Sequence, residues 1–268
     1  MPAYQPGSPD VAGVTTLTWV FTPEERDRLR GTLIEAARAD QRITGAALTG
    51  SASLGREDRW SDIDLAVGVT AGADVAAVIA DWTGRMYRDH RAVHHMDVAS
   101  GATVYRVFLL ASTLQVDIAF APAAEFGPNA PTFRLLFGTA AERPRHPLPA
   151  AAELIGVGWL YALHARSSLA RGRVWQAEYM ISGVRDHVLA LACLRHGVTP
   201  YQGRGMDQLP PAATTAMTGA LVRSLDAAEL GRAFRVVTQA LLAEISLADD
   251  ALAARLADPL EELAAAGE

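Results

Sequence analysis

Residues 48–65 read LTGSASLGREDRWSDIDL, and no other stretch limits the possible folds of this chain as tightly. Gly50-Ser51 closes one apolar run, AALT, and Asp62-Ile63-Asp64 opens another, LAVGV. The apolar, β-branched content of both runs argues for strands. Side chains alternate across a strand, so Asp62 and Asp64 fall on one face while Ile63 and Leu65 fall on the other. Two carboxylates one pleat apart can share a hard cation. Mg²⁺ takes oxygen ligands and is often held by one or two carboxylates plus substrate phosphates. Glycine at position 50 lets backbone come close to a phosphate, and Ser51 adds a hydroxyl and an N–H donor. If Ser51 starts a short helix through ASLG, its first N–H groups face the anion. Taken alone, Asp-x-Asp also fits a surface turn with solvated aspartates. The Gly-Ser pair after an apolar strand makes the combination specific.

A second acid stands out downstream. Residues 103–120, TVYRVFLLASTLQVDIAF, form two strand-like runs meeting at Ala111-Ser112, with Pro122 closing the second. In that second run Leu114, Val116, Ile118 and Phe120 share one face, and Gln115, Asp117 and Ala119 the other. Asp117 is a charge inside an otherwise apolar strand, and a carboxylate there needs a partner or a metal. It is the candidate third carboxylate. Asp97, in the strand-like run HHMDVAS, is the alternative if the sheet order brings that strand closer. Glu57 and Asp58 lie in the loop and are expected to be solvated.

The pattern resembles the nucleotidyltransferase superfamily that includes DNA polymerase β and the antibiotic nucleotidyltransferases. Its signature is Gly-Ser, a loop, Asp-x-Asp, and a third carboxylate on a later strand. Here those are Gly50, Ser51, Asp62, Asp64 and Asp117. The resemblance implies Mg²⁺-dependent transfer of a nucleoside monophosphate, AMP from ATP, to a hydroxyl of a small molecule such as an aminoglycoside or lincosamide, with pyrophosphate leaving. Asp62, Asp64 and Asp117 would hold a pair of Mg²⁺ ions. Gly50 and Ser51 would cradle the β,γ-phosphates, and Asp117 or Glu178 would accept the hydroxyl proton. Transfer to protein or RNA is an alternative, as is a non-catalytic, antitoxin-like nucleotide binder.

Composition narrows the field. Half of the 268 residues are apolar and a fifth are charged, as in a soluble globular protein. A net charge of −6 argues against a broad nucleic-acid footprint, which would be basic. No run has the length of a membrane span, and the N-terminus lacks the basic and apolar segments of a signal peptide. The single Cys193 excludes an intrachain disulfide and fits a reducing, cytoplasmic setting. All 24 basic residues are arginine. A lysine base or lysine phosphate clamp is therefore impossible, and a triphosphate must be met by arginine, backbone N–H groups and metal.

Along the chain, residues 1–19 read as a disordered lead-in. Thr22, Pro23 and Glu25 mark a capped helix start, with Leu29, Leu33 and Ala37 as its apolar face. A strand over 43–49 leads into Gly-Ser. After the Asp-x-Asp strand, Val75, Val78, Ile79, Trp82 and Met86 recur at helical spacing. Strand-like runs follow at 92–99, 103–111 and 113–120, with Gly101 in a turn. The fold class is α+β, a mixed sheet with flanking helices over 20–140, followed by an all-α helical bundle over 150–268. The linker, 141–149, sits in TAAERPRHPLP, which holds three prolines. Helices are expected at 150–170 and 174–196, the second ended by Gly197, with a loop at 198–211. A helix with a capping-box-like start at Asp226 and Glu229 should run to about Ser246, before a last one interrupted near Asp258-Pro259. In the superfamily the active site lies between a sheet domain and a helical domain.

In the helical half, Glu178, Ser182 and Arg185 form a polar stripe on a mostly apolar helix. Two readings fit: a face toward the site, with Arg185 meeting triphosphate and Glu178 the acceptor, or an exposed ion-paired face. Arg171 and Arg173 beside Gly172, and Arg204 and Asp207, are further phosphate candidates or solvated loop residues. Trp175 and Tyr179 are expected in the core, with base stacking as the alternative. Adjacent His94 and His95 point to opposite faces of a strand and, with His90, make a poor zinc site.

Overall fold

The computed structural model describes residues 20–144 and 147–265. The lead-in at 1–19 and two residues of the linker lie outside the described residues. The chain divides into two compact units, residues 1–146 and 147–268.

The first unit is a six-stranded mixed sheet in the order β3-β4-β5-β2-β1-β6. Its strands are β1 (Ile43–Thr49), β2 (Ile63–Val69), β3 (Ala92–Ser100), β4 (Thr103–Leu110), β5 (Gln115–Pro122) and β6 (Phe133–Gly138). Only the central pair, β2 and β5, runs parallel; the other neighbours are antiparallel. A parallel pair needs a crossover. Here α3 (Val75–Asp89) and the β3–β4 hairpin supply it, the hairpin turning at Gly101 with φ of 60°.

One face of the sheet is the main core. Leu33 and Ala37 of α1 (Pro23–Ala39), and Val78, Ile79, Trp82 and Met86 of α3, pack on Ile63, Leu65, Val67, Val116, Ile118 and Phe120. The expected alternation of β5 holds: Leu114, Val116, Ile118 and Phe120 are all buried. The α1 start is a complete capping box between Thr22 and Glu25. Its end is tied down by Asp40, which accepts from Arg42 and from the Trp82 indole at 3.1 Å. The Arg42 guanidinium holds the Asp40 carboxyl down at about 2.

The opposite face is lined at one end by Ala47, Ala66, Ala119 and Ala121 under Phe126. Gly45 and Gly68 make room for that ring, since a Cβ on either would press into it.

The second unit is helical: α4 (Ala151–Ala170), α5 (Val174–Arg195), α6 (Pro211–Gly219), α7 (Ala227–Ala248) and α8 (Asp250–Ala265). Its core runs through Ile181, Val184, Leu230, Phe234, Val237 and Leu241. No helix in the described residues is long and apolar enough to cross a membrane.

Several expectations need correction. Strand β6 and helix α6 lie outside the elements that the sequence pattern predicts. The last helix does not break at Asp258-Pro259: Pro259 lies inside α8. Ala253 on one side of it and Leu260 and Leu263 on the other are buried in one core, and that burial outweighs the hydrogen bond proline cannot make. At the start of α7 the Asp226 side chain makes no cap and accepts instead from Ser224 at 2.6 Å. Glu229 is taken by the Arg223 N–H and the Arg232 guanidinium, which pulls its carboxyl down to about 2. Trp175 and Tyr179 are not core; they are 74% and 64% exposed.

Candidate functional site

The three aspartates converge. Asp62, Asp64 and Asp117 are each half-buried, and each offers a carboxylate oxygen within 4.8 Å of the others. The β2–β5 ladder explains two of them. Ile63 pairs with Val116, Asp64 with Asp117, and Leu65 with Ile118, so Asp64 and Asp117 stand side by side on the face opposite the helices. Asp62 precedes β2 by one residue and is set by the loop that enters the strand.

That loop is anchored. Arg26 of α1 is 4% exposed and donates to the Asp58 carbonyl at 2.6 Å and the Ser61 carbonyl at 3.4 Å. Glu57 ion-pairs with Arg26 at 3.4 Å and also with Arg30. Asp58 accepts from the Trp60 N–H and the Ser61 hydroxyl. Glu57 is therefore not the solvated loop acid expected from sequence: two arginines of α1 draw it inward.

The Gly-Ser turn sits against the acids. Gly50 has φ of 55°, in the left-handed region, and opens α2 (Gly50–Ser53). A Cβ at Gly50 would collide with the Asp64 carboxylate. Only glycine allows the turn and the carboxylate to lie this close, so the two halves of the motif form one surface. The Ser53 hydroxyl donates to the Gly50 carbonyl at 2.8 Å, and Arg134 of β6 donates to the Ala52 carbonyl at 3.3 Å, bracing α2 from the strand the sequence did not reveal. The signal for β6 was present as FRLLFG between Pro131 and Gly138, too short and too half-exposed to stand out.

Gathering three carboxylates is unfavourable without a cation. At an effective dielectric of about 20, two unit charges about 5 Å apart repel by roughly 3 kcal/mol. Three carboxylate oxygens this close would suit a hard divalent cation, which takes oxygen ligands.

Asp97 is not the third acid. It sits in β3, separated from β5 by β4, and is held by Arg106 through two bonds of 2.6 Å, which lowers its pKa. His95 bonds Tyr87 at 2.9 Å, and the three-aspartate group is the metal-capable cluster found among the described residues.

In the helical unit the stripe on α5 is internally satisfied. Ser182 donates to Glu178 at 2.7 Å, and Arg185 donates to Asp186 at 2.9 Å. Arg173 is exposed at the start of α5, and Arg171 and Arg204 are exposed as well. A recess of about 540 Å³ in this unit is lined by Leu154, Asp186, His187, Tyr201 and Gln202, with His187 Nδ1 held by the Gly183 carbonyl at 2.8 Å.

No family model matches the chain, and no curated protein matches it in sequence. Among solved structures it is similar to an aminoglycoside 6-adenyltransferase from Bacillus subtilis, at 12% identity and a TM-score of 0.39, over 91% of this chain and 99% of that one. The overlap is loose, and the chemistry above stands on its own geometry. The mixed sheet brings together Gly50, Ser51, Asp62, Asp64 and Asp117, the residues on which the sequence resembles the nucleotidyltransferases.

Proposed function

We propose that this chain is a Mg²⁺-dependent nucleotidyltransferase that moves a nucleoside monophosphate, AMP from ATP, to a hydroxyl of a small acceptor, releasing pyrophosphate. The observation that carries the proposal is the meeting of Asp62, Asp64 and Asp117 beside Gly50. A divalent cation that also carries the substrate phosphates would offset the repulsion among three carboxylates placed this close.

Each residue then has a task. Asp62, Asp64 and Asp117 hold divalent metal. Gly50 and Ser51 present backbone N–H groups and a hydroxyl to the β,γ-phosphates, as the first donors of a helical turn lack partners within it. Bound metal supplies charge neutralisation at the α-phosphate and lowers the pKa of the acceptor hydroxyl. Asp117 or Glu178 takes that hydroxyl's proton. With no lysine in the chain, further triphosphate contacts come from arginine, with Arg185 and Arg173 the candidates. A cationic acceptor, such as an aminoglycoside, suits an acidic site better than a polyanion does. The net charge of −6 disfavours RNA, and a non-catalytic relative would be expected to have lost a carboxylate that this chain keeps.

The test is Mg²⁺-dependent pyrophosphate release from ATP across a panel of aminoglycosides and lincosamides. At least one acceptor should stimulate release, and Asp64→Asn should cut the stimulated rate by about a thousandfold, the scale of several kcal/mol from metal. If no acceptor stimulates release and Asp64→Asn leaves any background unchanged, the proposal fails.

A further inference from the structure

The acidic cluster has a fourth corner. β2 and β5 run parallel with Ile63 beside Val116 and Asp64 beside Asp117. One step back on that same face, Asp62 stands beside Gln115, and the side-chain amide nitrogen of Gln115 lies 3.0 Å from Asp117 Oδ1 and 3.4 Å from Asp62 Oδ2. Ionised carboxylates accept only, so the amide must present its nitrogen, and its two N–H bonds suffice for both acids. The four positions form a two-by-two array: three carboxylates and one neutral donor.

The acids are not held equally. Asp64 and Asp117 are fixed by the ladder, whereas Asp62 precedes the strand. Gln115 is the side chain that ties Asp62 to Asp117 across the two strands. An ionised carboxylate has about four lone-pair sites on its two oxygens, so accepting from the amide does not preclude meeting a cation. We infer that Gln115 is a positioning residue of the metal site: its amide sets the spacing of Asp62 and Asp117 and fills the fourth corner without adding a fourth charge. This inference rests on the proposed metal-dependent reaction. Partners that orient metal ligands from outside the coordination shell commonly contribute 10- to 100-fold in metal affinity.

The test reads metal binding directly. Mn²⁺, which is paramagnetic and takes the same oxygen ligands as Mg²⁺, is titrated into the full chain and followed by electron paramagnetic resonance for the wild type, Asp64→Asn, Gln115→Leu and Gln115→Glu. Gln115 is exposed, so Gln115→Leu should leave urea unfolding unchanged, whereas Gln115→Glu adds a fourth charge and should lower stability in metal-free buffer and regain it with Mn²⁺. Gln115→Leu should weaken Mn²⁺ binding by about tenfold. Gln115→Glu, which puts a ligand where the donor stood, should bind at least as tightly as the wild type. That opposite sign is something a packing role would not produce. If Gln115→Leu binds as the wild type does, or if both substitutions weaken binding equally, the inference is overturned while the metal site stands. If the wild type binds no Mn²⁺ that Mg²⁺ displaces, or if Asp64→Asn binds equally well, the metal-dependent reaction itself fails, and the role of Gln115 with it.

Discussion

Both units pair opposite charges, but the sheet unit also gathers like ones. In the sheet unit, Asp62, Asp64 and Asp117 come within 4.8 Å of one another. In the helical unit, Arg185 meets Asp186, Arg195 meets Glu244, and Arg232 meets Glu229, each at 2.7 to 2.9 Å. A folded surface arrives at the second pattern by itself, because pairing is mildly favourable. The first costs energy and persists only when the surrounding backbone fixes it, so a departure from local stability rules marks function. Clustering of like charge at one place is what a cation-bearing ligand would offset, whereas an ion pair on a helix needs no ligand.

The largest effect that could break this contrast lies at Gly50. Gly50→Ala should reduce nucleotidyl transfer by about 100-fold or more, because the new methyl displaces the Asp64 carboxylate and the loss corresponds to roughly 3 kcal/mol. Left-handed backbone strain alone costs about 1–2 kcal/mol of stability. Gly55 supplies the control: its φ is 63°, yet a Cβ there would meet nothing within 4 Å. Gly55→Ala should carry the same strain and keep activity within a few-fold. Steady-state rates for the two variants decide the matter. Equal losses would show that strain in the loop, and not contact with the acids, is what position 50 controls.

A second prediction concerns the loop that delivers Asp62. Arg26→Met keeps the apolar stem but removes the guanidinium that holds the Asp58 and Ser61 carbonyls and meets Glu57. Leaving those groups without their donor should destabilise the sheet unit by about 2–3 kcal/mol in urea unfolding. A change under about 0.5 kcal/mol, the range of ordinary surface substitutions, would mean that the loop holds itself.

These residues also show what the sequence could reveal. Asp117 was legible because a charge interrupted a period-two pattern and a motif upstream asked for it. The capped start of α1 and the buried faces of α3 and β5 were legible for the same reason: local pattern and tertiary burial agree. The pairing of Glu57 was not, since it depends on α1 packing beside a loop some thirty residues later in the chain. Nor was β6, whose partner β1 is ninety residues earlier, nor the continuity of α8 through Pro259, which is decided by core contacts on both sides of the proline. Sequence patterns register what neighbouring residues decide. Where distant elements decide, as for Trp175 and Tyr179 on the outside of α5, helical spacing alone gives no side.

The smallest effect, and the sharpest test of the helical unit, is Arg185→Ala. The ion pair with Asp186 leaves Asp186 more than half exposed, so breaking it should change stability by less than about 1 kcal/mol. If Arg185 serves only that pair, the variant is silent in every assay. If it meets the triphosphate, as the polar stripe on α5 suggested, the apparent Michaelis constant for ATP should rise about fivefold to tenfold with kcat little changed. That is the signature of a contact made equally in ground and transition states. Glu178→Gln separates the acid from the cation on the same helix: losing a base there lowers kcat and leaves the constant for ATP alone. Unchanged kinetics in both variants would leave the stripe as an ordinary paired face and confine the chemistry to the sheet, where the three carboxylates meet.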